Sequence, residues 1–249
     1  MNTVNATETK INDEMLAALM KCSQGTLTTQ LFKHGYRQQF LVGLRPLSKT
    51  TGAFAGEAFT LRFIPSREDK DWDLADLYKR GEHNLQWEAV EQIQKGQVLM
   101  IDSCSDPRAA SAGNMLLTRM MHKGVSAAVT DGAFRDGTEI SEMAFPAYCR
   151  ENTASTRPAY HRPVGIQEPI GCAGVAVYPG DIVVGNSDGV TIIPRHLAPV
   201  LAIDGYEQEL REKFLFTKLD AGGALWGNYP PNQETLKEFE AWKAEGNAL

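Results

Sequence analysis

The chain has 249 residues, 43% of them hydrophobic, which is enough to bury the core of one large domain. Its formal charge of −6, without a cluster of Lys and Arg, argues against direct nucleic-acid binding. The polar N-terminus lacks a signal-peptide core, and no apolar run approaches the roughly 18 residues of a membrane span. The four cysteines form no C-x-x-C pair and are typical of buried, reduced thiols, so we expect a cytoplasmic protein without a zinc site.

The first third of the chain alternates helical and extended patterns. Helical spacing of apolar residues predicts a helix over residues 11–22, and the small and hydroxyl residues 23–29 suit a turn and a helix cap. Residues 58–64 alternate like a strand. The highly charged stretch 65–85 is expected to be an exposed, partly helical excursion.

The centre of the chain is the most regular part. Short apolar runs predict strands over residues 98–102 and 125–130, and helical spacing predicts a helix over 112–122 that stops at Gly124. Strand, helix and strand within this length predict a parallel βαβ unit. Ligands usually bind where the carboxyl ends of such strands meet, so we expect the functional site there.

The last part begins with turns and ends with helices. Pro-Gly and Asp-Gly turns separate short apolar runs and predict strands over residues 171–177, 182–185 and 190–193. A Glu-rich helix follows from residue 196 to about 219, and a short amphipathic helix comes after a Pro-Pro break. The predicted fold class is therefore α/β with an antiparallel β segment.

The segment Thr130-Asp-Gly-Ala-Phe-Arg-Asp136 carries the clearest chemical signal. It follows a predicted strand directly, so Arg135 and Asp136 are expected near the carboxyl end of that strand. The Asp136 carboxylate suits Mg²⁺ or Mn²⁺, which prefer oxygen ligands. The Arg135 guanidinium suits a substrate carboxylate or an enolate oxygen. The alternative interpretation of the pair is a surface ion pair at a turn.

A second element is predicted at the same edge of the βαβ unit. The helix after the first strand begins near Gly113, and the backbone N–H groups and positive dipole end of a helix start favour an anion. The residues predicted to bind substrate are, with Arg135, those of this helix start: Gly113, Asn114, Met115 and Leu116. The alternative is an ordinary helix start capped by Ser111.

Two stretches of the chain resemble the RraA-like family. They are Ala-Gly-Asn-Met at residues 112–115 with Val-Thr-Asp-Gly-Ala-Phe-Arg-Asp at 129–136, and the later Pro-Gly-Asp and Asp-Gly-Val turns before Pro194. The similarity covers roughly residues 25–230. This family includes the class II 4-hydroxy-4-methyl-2-oxoglutarate aldolases and the regulators of RNase E activity.

The resemblance implies a fold and an assembly. The expected fold is an α/β/β/α swivelling domain, with the βαβ unit carrying the site, assembled as a homotrimer or homohexamer with sites between subunits. On this basis residues 1–24 form an N-terminal helical extension and residues 25–196 the catalytic domain. Residues 197–249 form C-terminal helices and a tail that pack on a neighbouring subunit.

The resemblance also implies roles for individual residues. In the family's aldolases an Asp, twenty residues and an Arg-Asp pair form the motif; the Arg binds substrate and the last Asp anchors the metal. Arg135 and Asp136 match this pair, whereas Asn114 stands where the aldolases have their first Asp. Asn can accept a hydrogen bond but brings no negative charge and is no base. The aldolases add a Glu from a neighbouring subunit's C-terminal helix, for which Glu212 is the best match and Glu209 the second.

The sequence therefore predicts a Mg²⁺- or Mn²⁺-dependent lyase that acts on a small 2-oxo acid through a pyruvate-type enolate. The catalytic residues would be Arg135, Asp136 and Glu212, with Asp136 as the metal ligand, and the reaction an aldol cleavage or a decarboxylation. Hydrolysis of a 2,4-dioxo acid or dehydration of a sugar acid at the same site is one alternative. A regulator that binds a ribonuclease without catalysis is another, although those regulators lack the Arg-Asp pair.

The remaining expectations concern the binding partners and the pocket wall. We expect the partners to be the small 2-oxo acid and further copies of the chain, with no nucleic acid and no membrane. The loop between residues 148 and 162 is expected to contribute to the pocket wall. Its candidates are Tyr148, Arg150, Ser155 and His161.

Overall fold

The computed structural model describes residues 9–49, 52–71 and 84–249. The helices in these ranges are α1 (Asp13–Met20), α2 (Gln24–Lys33), α3 (Glu68–Asp71), α4 (Leu85–Gln92), α5 (Asn114–His122), α6 (Gly137–Ser141), α7 (Ala198–Asp220) and α8 (Gln233–Ala244). The strands are β1 (Arg45–Pro46), β2 (Phe54–Pro65), β3 (Val98–Asp102), β4 (Ala110–Ala112), β5 (Ala127–Thr130), β6 (Ala133–Phe134), β7 (Ala147–Cys149), β8 (Glu151–Asn152), β9 (His161–Ile166), β10 (Ile170–Cys172), β11 (Val175–Val177), β12 (Ile182–Asn186) and β13 (Gly189–Ile193).

The long strand β2 organises the main sheet. The strand order is β1-β7-β5-β3-β2-β12-β13, and β9 also pairs with β2. The first residues of β2 pair antiparallel with β12, its middle pairs parallel with β3, and its end pairs antiparallel with β9. Because one strand belongs to both parts, the sheet curls and its two halves face each other.

Three apolar clusters define the layers of the fold. The first lies between the sheet and helices α4, α5 and α6, with Leu117 and Met120 of α5 at its centre. The second fills the space between the two halves of the sheet. The third lies between β12 and helices α1, α2 and α7. Side chains alternate between the two faces of β12, so the strand contributes to two clusters: Val183 faces the second and Val184 the third. The layers therefore follow one another as helices, sheet, sheet and helices, which confirms the predicted α/β/β/α arrangement.

The predicted βαβ unit is confirmed. Strands β3 and β5 pair in parallel, and α5 lies in the connection between them. The helix begins at Asn114 instead of residue 112, because residues 110–112 form the short strand β4. It ends at His122 with Lys123 as its C-cap, and Gly124 follows with a φ of +74°, the conformation expected of a terminating glycine.

Two local expectations are corrected. Residues 24–29, expected in a turn, belong to α2. The expected helix cap is confirmed, since the Ser23 hydroxyl accepts a hydrogen bond from Thr26 N at 3.0 Å. Residues 171–177, expected as one strand, form part of the hairpin β10–β11. Its turn lies at Ala173 and Gly174, which both have positive φ; the turn is hidden in the sequence because Ala rarely adopts that conformation.

The remaining parts surround this frame. The terminal helix α8 joins α7 through the rings of Phe214, Phe239 and Trp242, with centroids 5.6 to 6.3 Å apart. Helix α7 itself packs on α1 and α2 of its own chain. The packing of residues 197–249 on a neighbouring subunit, and the predicted domain boundaries, stay predictions. Of the charged stretch 65–85, the part after α3 up to residue 83 lies outside the described residues.

The buried thiols agree with their predicted environment. Cys22, Cys149 and Cys172 are buried, whereas Cys104 is exposed. Burial raises the pKa of Cys22 to about 12 and that of Cys149 to about 11. None of the helices in the described ranges combines the length and apolar character needed to cross a bilayer.

Candidate active site

A small second sheet gathers the candidate residues. Strands β4, β6 and β8 follow β3, β5 and β7 in the chain and pair in parallel with one another. Strand β4 leads into α5, and β6 leads into Arg135 and Asp136. Because β4 and β6 are neighbours, the start of α5 and the Arg-Asp pair come together, as the sequence predicted.

Asp136 lies against the start of α5. Its Oδ2 accepts a hydrogen bond from Asn114 N at 3.1 Å and lies 3.5 Å from Arg135 Nε. Arg135 N donates to the Ala112 carbonyl of β4 at 3.0 Å. Asp136 has φ 62° and ψ 40°, a left-handed conformation that costs on the order of 1 kcal/mol or more in a residue other than glycine. Such strain is typical of residues held in place for function.

Gly113 makes this close approach possible. A Cβ at position 113 would lie 2.5 Å from Asp136 Oδ2 and 2.9 Å from Arg135 Nε. Both side chains therefore occupy the space that any other residue would need. Gly113, predicted as part of the substrate site, allows the Arg-Asp pair to pack on the helix start.

The N-cap residue of α5 provides no side-chain cap for the first turn. Its N-cap is Gly113, and the Ser111 hydroxyl instead bonds to those of Ser103 and Thr130, at 2.7 and 2.6 Å. The alternative of an ordinary helix start capped by Ser111 is therefore wrong. The Asp136 carboxylate accepts a hydrogen bond from Asn114 N. The next residues of the turn, Met115 and Leu116, line the adjacent cleft. This is the arrangement of a helix start that can receive an anion.

A cleft of about 590 Å³ opens beside these residues. It is lined by Asn84, Gln86, Trp87, Val90, Glu91, Ala110, Ala112, Gly113, Met115, Leu116, Arg119, Arg135, Asp136, Thr156, Arg157 and Pro158. The guanidinium of Arg119 is bound by both carboxylate oxygens of Glu91, at 2.9 and 2.8 Å. Arg135 and Asp136 are partly exposed, with 44% and 32% of their side chains accessible. A small anionic molecule can therefore reach both.

The residues that precede Arg135 and Asp136 in the motif are buried and support the site. Asp131 is fully buried, and its carboxylate accepts hydrogen bonds from Ser103 N at 2.7 Å and Ser105 N at 3.0 Å. Ala173 N of the β10–β11 turn donates to it at 3.2 Å. A Cβ at Gly132 would lie 2.7 Å from Ser103 Cβ. The sequence indicated only a turn here, whereas the structure shows an anchor between β3, β5 and the hairpin.

The two glutamates predicted on α7 do not line the cleft of their own chain. Glu212 accepts a hydrogen bond from Gln208 at 2.8 Å, and Glu209 accepts one from Ser23 N at 2.7 Å, at the start of α2. Glu209 therefore supports a helix start. The role of Glu212 depends on a neighbouring copy of the chain and stays a prediction.

The four loop residues expected in the pocket wall are elsewhere. Tyr148 is buried with its hydroxyl on Asn186 O at 2.8 Å, and Arg150 donates to Asp131 O at 3.1 Å. His161 is buried, its Nε2 lies 3.1 Å from Asp106 O, and burial lowers its pKa. Ser155 accepts from Ala110 N through its carbonyl. The cleft is instead lined by the intervening residues Thr156, Arg157 and Pro158.

The residues present restrict the kind of metal that fits. Across the described ranges of the chain, no group of three or more His, Cys, Asp or Glu side chains is arranged to hold a metal. A site such as that of Zn²⁺, which takes three or four such ligands, therefore does not fit the described residues of one chain. Mg²⁺ and Mn²⁺ fit better, since Mg²⁺ keeps several waters and binds through one or two carboxylates. In the cleft that carboxylate would be Asp136.

Comparison with known proteins decides the family. The model of the RraA-like family, described as Aldolase/RraA, matches residues 9–192. The chain belongs to this family. The predicted membership is thus confirmed, and with it the RraA-like fold.

Relatives include both enzymes and regulators by name. A putative 4-hydroxy-4-methyl-2-oxoglutarate aldolase of Halalkalibacterium halodurans is 38% identical over 109 residues, 43% of this chain and 50% of that protein. The chain thus matches about half the length of this relative. The 4-hydroxy-4-methyl-2-oxoglutarate aldolase of Thermus thermophilus is 28% identical, covering 51% of this chain and 93% of that protein. The crystal structure of Streptomyces coelicolor RraAS2, described as an unusual member of the RNase ES inhibitor RraA family, is 27% identical with a TM-score of 0.71, covering 82% and 96% of the two chains.

Proposed function

We propose that this RraA-like protein is a divalent-metal-dependent lyase that cleaves a carbon–carbon bond in a small 2-oxo acid through a pyruvate-type enolate. The observation that carries the proposal is the meeting of three elements in one cleft. They are the Arg135 guanidinium, the Asp136 carboxylate and the first turn of α5, whose N-cap residue is Gly113. Relatives named as 4-hydroxy-4-methyl-2-oxoglutarate aldolases support the same reaction class.

Arg135 and the helix start would bind the 2-oxo acid. The backbone N–H groups of Met115 and Leu116 follow Asn114 in the first turn of α5 and suit a carboxylate. The Arg135 guanidinium, held through its backbone on β4, suits the oxygen on which negative charge develops. When the carbon–carbon bond breaks, its electron pair moves into the enolate, and a preorganised cation lowers the energy of that charge.

Asp136 would hold the metal. Its Oδ2 is fixed by Asn114 N, and the left-handed backbone at Asp136 keeps the carboxylate at the cleft edge. A bound Mg²⁺ or Mn²⁺ would supply Lewis-acid stabilisation of the same charge.

A proton must finally reach the enolate carbon, and the described residues of the cleft offer few donors. Glu91 is paired with Arg119, and Asn114 is no acid. We therefore keep Glu212 of a neighbouring copy as the proposed proton carrier, in a trimeric or hexameric assembly. This makes oligomerisation part of the proposed mechanism.

Two observations favour other functions, and these alternatives can be tested. Asn114 replaces the Asp of the family's aldolases, which favours hydrolysis of a 2,4-dioxo acid or dehydration of a sugar acid. The similarity to RraAS2 favours a non-catalytic ribonuclease regulator. A regulator, however, would have no need of a strained Asp136 at a cleft edge.

A substrate panel distinguishes these functions. Purified protein is assayed with oxaloacetate, 4-hydroxy-4-methyl-2-oxoglutarate, a 2,4-dioxo acid and a sugar acid, each with Mg²⁺ and with excess chelator. We expect pyruvate to be released from one of the first two acids, and only with metal. Full activity in chelator would overturn metal dependence. Turnover confined to the dioxo or sugar acid would support the second function, and binding of a ribonuclease without any turnover would support the third.

A further inference from the structure

We infer that the cleft selects 2-oxo acids whose distal end is an apolar group, best an aromatic ring, and that Trp87 determines this preference. The inference rests on the proposed function, since it names the class of substrate for the same site. Trp87 lies on α4 and lines the same cleft as Met115 of α5. Apolar and aromatic side chains beside a few polar groups are the usual lining of a small-molecule site.

The fold places Trp87 next to Met115. Strands β2, β3 and β5 are parallel, so α4 and α5, which lie in the connections between them, run in the same direction. The two helices are joined where Arg119 binds both carboxylate oxygens of Glu91, at 2.9 and 2.8 Å. Trp87 precedes Glu91 by four residues, and Met115 precedes Arg119 by four, so each lies one turn closer to its helix start on the same face. Trp87 and Met115 are therefore neighbours on the cleft wall.

Both side chains lie at the end of the cleft where the acid is proposed to bind. Side chains on a helix lean toward its start, and the first turn of α5 is the proposed site of the substrate carboxylate. The start of α4 is attached to the same region, because Gln86 donates through its Nε2 to the Ser111 carbonyl of β4, the strand that leads into α5. A carbon chain that extends from the bound carboxylate therefore meets Met115 and Trp87.

This part of the wall leaves apolar surface accessible. Trp87 is 47% exposed and Met115 is 79% exposed, and Val90, Leu116 and Pro158 add further apolar lining. An apolar group of the substrate would remove this surface from water, which favours binding. An aromatic ring would gain more, because ring pairs interact favourably beyond the area that they bury.

Beyond the Arg-Asp pair, the charged side chains of the described cleft wall are already bound within the protein. Arg119 binds Glu91. Arg157 donates through its Nε to Gln86 Oε1 at 3.1 Å and through its Nη1 to the His161 carbonyl at 2.9 Å. A second carboxylate of the substrate would compete with these contacts and would meet the negative charge of Glu91. An apolar group has neither cost.

The preference defines a class of substrate for the proposed cleavage: 4-hydroxy-2-oxo acids with an apolar group on C4. The bond between C3 and C4 breaks, and its electron pair stays with C3, which takes up a proton as pyruvate forms. The C4 hydroxyl loses its proton and becomes the carbonyl of an aldehyde. The products are pyruvate and an apolar aldehyde.

Calorimetric titration measures the preference without requiring turnover. Pyruvate, 2-oxoglutarate and phenylpyruvate share the 2-oxo acid end and differ in the distal group; each is titrated, with Mg²⁺, into the wild type, Trp87→Ala and Trp87→Phe. We expect the wild type to bind phenylpyruvate about tenfold or more tightly than either other acid, as expected for partial burial of one ring. Trp87→Ala should lose most of this preference and change pyruvate binding less than twofold, and Trp87→Phe should keep part of it.

Tyr178→Ala is the matched control. It also removes an exposed aromatic side chain, but Tyr178 lies in the turn between β11 and β12 and does not line the cleft. This variant should bind all three acids like the wild type. Thermal unfolding of each variant shows whether a loss comes from misfolding.

Turnover provides a second measurement. The wild type should release pyruvate from 4-hydroxy-2-oxo-4-phenylbutanoate with a higher kcat/KM than from 4-hydroxy-4-methyl-2-oxoglutarate. The reverse order, or wild-type binding of phenylpyruvate no tighter than that of the other acids, would overturn the inference and leave the proposed function standing. An unchanged preference in Trp87→Ala would overturn the role of Trp87. Failure of the wild type to bind any of the three acids would overturn the proposed function and this inference with it.

Discussion

Replacing Gly113 by Ala tests the packing on which the proposed site depends. The backbone at Gly113 has φ −131° and ψ −179°, which Ala adopts without strain. Its Cβ, however, would lie 2.5 Å from Asp136 Oδ2 and 3.0 Å from Arg135 Cγ. Since non-bonded atoms prefer at least about 3.5 Å, the Asp136 oxygen must move by about 1 Å and Arg135 by about 0.5 Å.

Displacements of this size are large for catalysis and modest for stability. A misplacement of about 1 Å costs about 100-fold in rate. Both side chains are partly exposed and can shift toward the cleft, so the free energy of unfolding should fall by no more than about 1–3 kcal/mol. We therefore expect a folded protein with kcat/KM reduced by about two orders of magnitude.

The assay is pyruvate release from oxaloacetate with saturating Mg²⁺, combined with thermal unfolding. Gly171→Ala is the matched control, because a Cβ there meets no atom within 4 Å. It should keep kcat/KM within about twofold of the wild type. Wild-type kcat/KM in a folded Gly113→Ala variant would refute the reasoning, because Arg135 and Asp136 would then tolerate displacement.

Three further predictions address single side chains. Arg135→Lys should reduce kcat/KM strongly although the charge is kept, since an ammonium cannot reproduce a planar fork; near wild-type kinetics would show that Arg135 does not bind substrate. Asn114→Asp should reduce native turnover about fivefold or more, because a second carboxylate beside Asp136 repels an anionic substrate by about 1 kcal/mol. Its kcat/KM is measured on a hydroxy-oxo acid and on a dioxo acid: a gain on the first would indicate an aldolase that tolerates Asn, and no change on either would place Asn114 outside the site. Burial lowers the pKa of His161, so the unfolded chain binds its proton more readily and stability should fall as the pH decreases from 7 to 5; denaturant unfolding of His161→Phe should show a weaker decrease, and an equal one would contradict this origin.

The local parts of the site could be predicted from sequence. Arg135 and Asp136 follow β5 by a few residues, and Gly113 directly precedes α5, so their meeting follows from parallel pairing of neighbouring strands. What the sequence did not show was the contact itself. The strained backbone of Asp136 and its bond to Asn114 N depend on the side-by-side placement of β4 and β6.

The far wall of the cleft could not be predicted in the same way. Trp87 and Arg157 come from segments about 50 residues before and 20 residues after the motif, and neither sits in a pattern typical of binding. His161 was predicted in the pocket wall, but the structure buries it in the core. Only the three-dimensional path of the loop between β8 and β9 determines which of its residues reach the cleft.

The most direct test of the central claim is a crystal structure of the protein soaked with Mn²⁺ and oxalate, an analogue of the pyruvate enolate. The anomalous signal of Mn²⁺ locates the metal independently of the ligand. We predict a Mn²⁺ peak beside the Asp136 carboxylate, with oxalate in contact with Arg135 and the first turn of α5. A metal bound elsewhere, or oxalate bound away from Arg135, would contradict the account.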